Sequence, residues 1–259
     1  MITKPASKER LDARIIGAGL PHLFALEILE VVDSTNRYLW RRGHMGAPSG
    51  SACLAEYQTA GRGRQGRPWL SPKGNLCLSL LWRFPKGTCL EGLSLAMGVA
   101  VAQALMDAGA EGIALKWPND VLGQGKKLAG ILVEVGQTFA VIGVGVNIHM
   151  PPEEGGAIDQ PWIDMQTLMG KPVSRNRVGR RVLESLLIAS MRFEREALMP
   201  FREVWSRLDI LEGKGIELRH GASVHRGVAQ GIDKRGRLLL KQGNRIQAFS
   251  SGEAHLIAP

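Results

Sequence analysis

Arg62, Arg64 and Arg67 alternate with Gly61, Gly63 and Gly66 in a run that closes on Pro68-Trp69, and no carboxylate occurs between Glu56 and Glu91. Over that interval Lys73, Arg83 and Lys86 bring the cations to six, a local field suited to an anion. Glycine permits positive φ and close approach of backbone to ligand, so the run reads as a loop that wraps something small. Guanidinium groups present planar, bidentate donors that match phosphate or carboxylate oxygens. Without an anion, the like charges and the glycines predict a mobile loop. On composition alone, a Gly/Arg loop that binds RNA non-specifically fits equally well.

Three further positions carry chemistry. Asp33-Ser34-Thr35-Asn36 offers four consecutive residues able to cap a helix, more than one helix needs, so Ser34, Thr35 and Asn36 read equally as caps or as ligand contacts. In Lys116-Trp117-Pro118-Asn119-Asp120, Pro118 cannot donate to a ladder, which predicts a strand ending there with Asn119 and Asp120 at its carboxyl end. Lys127 follows Asp120 across the turn Gly123-Gln124-Gly125; it is either a solvated strand-end lysine or an ammonium sharing one cleft with the Asp120 carboxylate.

Other chemistries are not supported. There is no Walker A run, and Gly143-Val144-Gly145 lacks the third glycine and the following helix of a dinucleotide fingerprint. A nucleotide's phosphates would therefore be held by arginines. No Ser-His-Asp or Cys-His arrangement can be assigned, and the six histidines show no metal-ligand spacing. Cys53, Cys77 and Cys89 lie in or beside apolar runs without C-x-x-C spacing and read as reduced core residues, so no protein metal site is expected.

These groups need elements to hold them. Leu26–Val32 and Ala52–Tyr57 read as strands, the first entering the 33–36 cap and a helix through Leu39, the second delivering the chain into the arginine loop. Asn75–Trp82 is another strand, and 92–109, with no charge before Asp107, is a buried helix ending on Gly109. Lys126–Glu134 and Phe139–Asn147 form an antiparallel pair with glycines where a ligand would lie. Pro151–Pro172 reads as a surface excursion; Ser174 caps a long amphipathic helix, and a shorter one follows through Trp205. From Gly213 the texture changes to short β-runs with tight turns, a small barrel.

A chain of 259 residues buries a sizeable core. The net charge of +9 invites a nucleic-acid reading, but no zinc finger, aromatic RNP-like motif or basic zipper accompanies it. Residues 213–259 hold eight Lys/Arg against Glu217, Asp233 and Glu253, a surplus that suits an acidic protein or a nucleotide. No apolar run would span a bilayer and no signal peptide opens the sequence, so a cytoplasmic protein is expected.

The blocks S-T-N at 34–36, Q-T-A-G-R-G-R-Q-G-R-P-W at 58–69, K-W-P-N-D at 116–120 and K-L-A-G-I-L-V-E at 127–134, with G-I-D-K-R-G-R-L-L-L at 231–240, together resemble the biotin protein ligases over nearly the whole chain. The resemblance implies an α/β (α+β) fold: a mixed-sheet catalytic domain related to class II aminoacyl-tRNA synthetases over 1–212, and an SH3-like β-barrel over 213–259. It implies activation of biotin by ATP, with Mg2+, to biotinyl-5′-AMP, then transfer of biotin to one lysine of a biotin carrier domain such as that of acetyl-CoA carboxylase. Family motifs put Ser34, Thr35, Asn36, Gln58, Arg62, Gly63, Arg64 and Lys127 around biotin and the adenylate. By that match Arg62 and Arg64 take phosphate and carboxylate oxygens, Lys127 stabilises the transferring centre, Trp69 covers the adenine, Asn119 contacts the base and Asp120 receives or orients the acceptor lysine. Gly61, Gly66, Arg67, Lys116, Gly130 and Asn147 complete the expected site. A lipoate protein ligase shares the fold, although the arginine loop and small β-domain favour biotin. A nucleic-acid module using the Gly/Arg loop would instead bind with a steep salt slope and without ATP. Repressor-type members carry an N-terminal DNA-binding domain for which residues 1–25 are too short, so DNA is not an expected partner, while a homodimer remains compatible.

Overall fold

The computed structural model describes residues 9–151, 155 and 160–257. Its larger sheet has seven strands: β1 (Ala25–Val32), β2 (Ser51–Gln58), β3 (Leu76–Trp82), β4 (Ile113–Lys116), β5 (Asp120–Gly123), β6 (Lys126–Val135) and β7 (Ala140–Val146). Their order is β1-β2-β3-β7-β6-β5-β4, with β1 and β2 parallel and every other neighbour antiparallel. α2 (Thr35–His44) makes the crossover that the parallel pair requires. Among the described residues the other α-helices are α1 (Ala13–Gly17), α3 (Leu93–Asp107), α4 (Met165–Met169), α5 (Arg175–Glu196) and α6 (Arg202–Leu208).

The period-2 alternation of the strands divides the core. Ala52, Leu54, Leu76, Leu78, Leu80, Ile142, Val144 and Val146 face α3 and α5 in the main cluster. Cys53, Leu81 and Val141 point to the other side, where Leu39 of α2 and Phe139 cover them. α3 carries almost no charge because it is buried nearly all round, and it ends before Gly109, whose φ of 97° suits glycine.

On the α2 side the register lines up small residues. Asp120, Gly130, Gly145, Cys77 and Ala55 form one row across five strands, and Leu132, Gly143, Ser79 and Cys53 form the next. Beyond the end of α2 these rows leave a shallow trough instead of a packed surface. That trough is where the site lies.

The smaller sheet holds β8 (Gly215–His220), β9 (Ser223–Ile232), β10 (Leu238–Gln242), β11 (Arg245–Phe249) and β12 (Glu253–Leu256), antiparallel throughout in the order β11-β10-β9-β8-β12. Ile216, Leu218, Leu238, Leu240 and Phe249 join the main apolar cluster, so the two sheets share one core. Trp117 Nε1 donates to the Gly236 carbonyl at 3.1 Å, and a Cβ on Gly236 would come 2.8 Å from Leu95 Cδ1, so only glycine fits that seam. Arg235 clamps Glu91 with two nitrogens.

Two expectations are corrected and one is extended. Asn119 and Asp120 follow the carboxyl end of β4 as expected, and in addition the chain reverses there: Lys116 pairs with Asp120 across a turn of Trp117-Pro118-Asn119, and Asp120 opens β5. Cys53 and Cys77 are buried, but Cys89 is exposed, since it lies in the loop before α3 and not in a strand. The 151–172 segment is only partly an excursion: 152–154 and 156–159 lie outside the described residues, while Trp162 folds back onto the trough and Ile163 and Met165 join the main apolar cluster.

Candidate functional site

A cavity of about 490 Å³ occupies the trough. Its floor is the row of small residues, and Trp69 lies on it: a Cβ at Gly145 would fall 2.3 Å from Trp69 Cε2, and one at Gly130 would fall 3.1 Å from Cζ3. The glycines of β6 and β7 thus make room for an indole. Lys127 Nζ stands 5.6 Å from the Trp69 ring centroid.

At one wall, α2 begins. Ser34 is its N-cap, accepting from Arg37 N, and Ser34, Thr35 and Asn36 are all buried at the cavity edge. Capping and ligand contact are therefore compatible, since one cap leaves Thr35 and Asn36 facing the sheet. Thr35 N donates to Gln58 Oε1 at 2.8 Å, and Asn36 Nδ2 donates to Glu134 Oε2 at 2.9 Å.

The arginine loop forms the opposite lip and is laced by its own backbone: Gly63 N donates to Arg67 O at 2.7 Å, and Trp69 N to Gly61 O at 2.9 Å. Each guanidinium has a protein acceptor. Arg62 Nη2 meets Glu134 Oε1 at 3.2 Å, Arg64 Nη1 donates to the Gly252 carbonyl at 3.1 Å, and Arg67 grips both oxygens of Glu253. The loop expected to be loosened by like charge is thus held by two carboxylates and a carbonyl. Burial pushes the Arg64 pKa down, opposed by the charges of Asp120 and Glu253, which marks a guanidinium largely withdrawn from water.

Lys127 and Asp120 come together as the hairpin spacing allows: Nζ lies 2.9 Å from Oδ1, with side chains only 16% and 12% exposed. The contact is an ion pair out of line for a hydrogen bond, since Oδ1 has no hydrogen-bond partner. Lys127 is fixed through its backbone, its N donating to Pro161 O and its carbonyl accepting from Ile163 N. Asn147 Nδ2 braces the same junction at the carbonyls of Lys127 and Ile163, and Asn119 Nδ2 donates to Ile131 O at 3.0 Å. Both asparagines line the cavity, yet their amides are engaged by backbone.

Of the residues expected from the sequence, all but Gly61 and Gly66 line this one cavity. Those two serve the loop itself. A Cβ on Gly61 would lie 2.5 Å from Trp69 O, and Gly66 has φ 76°. Gly63, Lys116 and Gly130 are on the lining.

Sequence reasoning missed Glu134, Trp162, and the 252–254 segment of the smaller sheet. Glu134 left a trace, a carboxylate inside the apolar run of β6. Gly252, Glu253 and Ala254 line the cavity from a strand nearly two hundred positions away, and nothing local marks them. Among the described residues no group of three or more His, Cys, Asp or Glu could hold a metal ion, and no helix is long and apolar enough to cross a membrane.

The Biotin/lipoate A/B protein ligase family model matches residues 28–147, and the Biotin protein ligase C terminal domain matches 213–256. The chain is 42% identical over 240 residues to the bifunctional ligase/repressor BirA of Escherichia coli, covering 90% of this chain and 74% of that protein. It is 36% identical over 257 residues to the biotin–[acetyl-CoA-carboxylase] ligase of Mycobacterium tuberculosis, covering 96% and 95% of the two chains. The biotin protein ligase of Aquifex aeolicus in complex with biotin and ATP superposes with a TM-score of 0.79 at 29% identity, covering 91% of this chain and all of that one. With the loop, the STN wall and the Lys127–Asp120 pair gathered on one floor, these matches show that the chain belongs to the biotin protein ligase family.

Proposed function

We propose that the protein is an ATP-dependent ligase that activates biotin as biotinyl-5′-AMP and passes the biotinyl group to a lysine of a biotin carrier domain. The observation that carries this reading is the convergence of two arginines and one lysine on a cavity whose other wall is hydroxyl- and amide-lined. Activation joins two anions: a biotin carboxylate oxygen attacks the α-phosphorus of ATP and pyrophosphate leaves. Fixed cations lower that barrier by meeting charge as it develops. Arg62 and Arg64 take this role, with Lys127 at the transferring centre. Gly63 suits a close neighbour, since a Cβ there would meet only Arg67 O, at 3.6 Å, so the protein's own packing does not demand glycine. The Thr35 and Gln58 side receives the polar head of biotin, and the indoles of Trp69 and Trp162 offer flat faces to the ligand's rings.

In the second half-reaction the acceptor ε-amine attacks the acyl carbonyl, AMP leaves, and one amine proton must be lost. Asp120 receives or orients the incoming ammonium, for which its contact with Lys127 has to open. Mg2+ is proposed to arrive on the nucleotide. The cavity's Asp120 and Glu253 are held by Lys127 and Arg67, so phosphate oxygens would supply most of its ligands.

We assign residues 1–212 to the biotin and ATP chemistry and 213–259 to an SH3-like domain that braces the loop, in a cytoplasmic protein able to pair as a homodimer. The acceptor is proposed to be the carrier domain of acetyl-CoA carboxylase or a similar biotin enzyme. A lipoate ligase is the less favoured reading, because the match at 213–256 is to a biotin ligase domain. The test is direct: purified protein with biotin and MgATP should exchange labelled pyrophosphate into ATP and retain biotinyl-AMP by mass spectrometry. Exchange with lipoate but not biotin would overturn the substrate assignment.

A further inference from the structure

The walls of the cavity are joined by one circuit of hydrogen bonds. Arg62 Nη2 meets Glu134 Oε1 at 3.2 Å, and Glu134 Oε2 accepts from Asn36 Nδ2 at 2.9 Å. Asn36 Oδ1 lies 2.6 Å from Ser79 Oγ, which lies 2.8 Å from Thr35 Oγ1. Thr35 meets Gln58 Oε1, Gln58 Nε2 donates to Ser71 Oγ at 2.8 Å, and Ser71 Oγ donates to the Trp69 carbonyl at 3.2 Å. The path leaves the arginine loop at Arg62 and returns to it at Trp69.

Proton counting gives this circuit a direction. Ionised Glu134 only accepts, so Asn36 must turn its amide nitrogen toward it, and the Leu132 carbonyl at 3.3 Å holds the same orientation. Asn36 Oδ1 then faces Ser79, and because a hydroxyl has one proton, Ser79 must give it to Asn36 and accept from Thr35. Gln58 Oε1 is served by the Thr35 backbone N–H. Ser79 is fully buried, so no water can serve it instead. The direction in which the Thr35 hydroxyl donates is therefore set three contacts away, at Glu134.

We propose that Glu134 is a positioning residue for adenylation: its carboxylate holds the Arg62 guanidinium and, through Asn36 and Ser79, fixes which way the Thr35 hydroxyl donates. The inference rests on the reaction proposed above. Glutamine at this position cannot accept from Arg62 and Asn36 with both of its polar atoms. Its NH₂ would confront one of the two donors; Arg62 swings away, or the Asn36 amide turns over and reverses the Ser79 and Thr35 hydroxyl protons.

The test measures biotin-dependent pyrophosphate exchange for the parent, Glu134→Gln, Glu134→Asp and Ser79→Ala, with Tm recorded for each. Glu134→Gln should lower kcat by about tenfold or more through the misplaced guanidinium. Ser79→Ala should raise the biotin KM by about tenfold with kcat within about twofold of the parent. Glu134→Asp, which keeps two anionic acceptors, should recover part of the kcat lost in Glu134→Gln. Should Glu134→Gln fail to fold, the KM-only effect of Ser79→Ala still decides. The circuit is overturned if Ser79→Ala leaves both constants unchanged, or if Glu134→Asp is as slow as Glu134→Gln. A parent enzyme that shows no exchange with biotin overturns the reaction itself, which is a different result.

Discussion

Lys127 and Asp120 are each other's counter-charge as well as candidates for separate half-reactions. Their side chains are largely buried, so removing either strands a charge. Lys127→Ala should therefore reduce adenylate formation by about 100-fold or more and also destabilise the fold by on the order of 1–3 kcal/mol, from the unpaired carboxylate. Combining it with Asp120→Asn should restore most of the lost Tm without restoring exchange. Calorimetry beside the exchange assay separates the effects; full activity in Lys127→Ala would remove Lys127 from the mechanism. The sequence alone implied no such stability cost, because it offers the spacing of Asp120 and Lys127 but not their burial.

At the scale of elements, β7 shows how a strand can be shaped by its neighbour. Gly143 and Gly145 look like ligand glycines in the sequence, yet the groups nearest them are Asn36 Oδ1 and the Trp69 indole. Gly145→Ala should push Trp69 off the floor, costing about 1–3 kcal/mol by overpacking, with a raised ATP KM as the kinetic readout. An unchanged KM would mean that the indole's seat does not shape the ligand site. Much of this site was legible because its pieces are local strings: the cap at 34–36, the loop at 61–69, the 116–120 turn and Lys127 are each continuous in sequence. What could not be read were partners chosen by register and tertiary packing, such as Glu134 for Arg62 and Trp162 beside Lys127. The reversal at Trp117–Asn119 was not legible, because proline explains why a ladder stops but not that the chain turns back and pairs again.

For the whole molecule, the smaller sheet is part of the site. Glu253 lies on β12, and its carboxyl is held below the ordinary value of 4.5 chiefly by hydrogen bonds from Arg67, against burial, with help from the charges of Arg67, His255 and Lys116. A lowered folded pKa means that its stabilisation is complete above about pH 4.5 and is lost as pH falls through the folded value. The Tm gap between the parent and Glu253→Gln should accordingly be largest near neutrality and narrow as the pH falls below about 4.5; a gap that does not narrow in acid would rule the ion pair out as its source. The outer face of the same sheet carries a cross-strand row of Val228, Lys241 and Ile246, an apolar and cationic surface that would suit the acidic acceptor of the proposed reaction. Arg235 and Arg237 are less suitable probes of docking, because they are tied to Glu91 and Asp233. Lys241→Glu should raise the carrier KM, and salt should do the same in the parent, since exposed charges are screened over about 10 Å at 0.1 M. Insensitivity to both would exclude electrostatic docking there.

The clasp between Arg67 and Glu253 spans 186 positions. A chain still emerging from the ribosome, with β11 made and residues 252–256 not, already owns every cation proposed for the chemistry but lacks the Gly252 carbonyl that meets Arg64 and the Glu253 carboxylate that meets Arg67. The lip thus meets its partners from the smaller sheet only at the close of synthesis, and a prematurely released product would carry three arginines beside the cavity without that clasp.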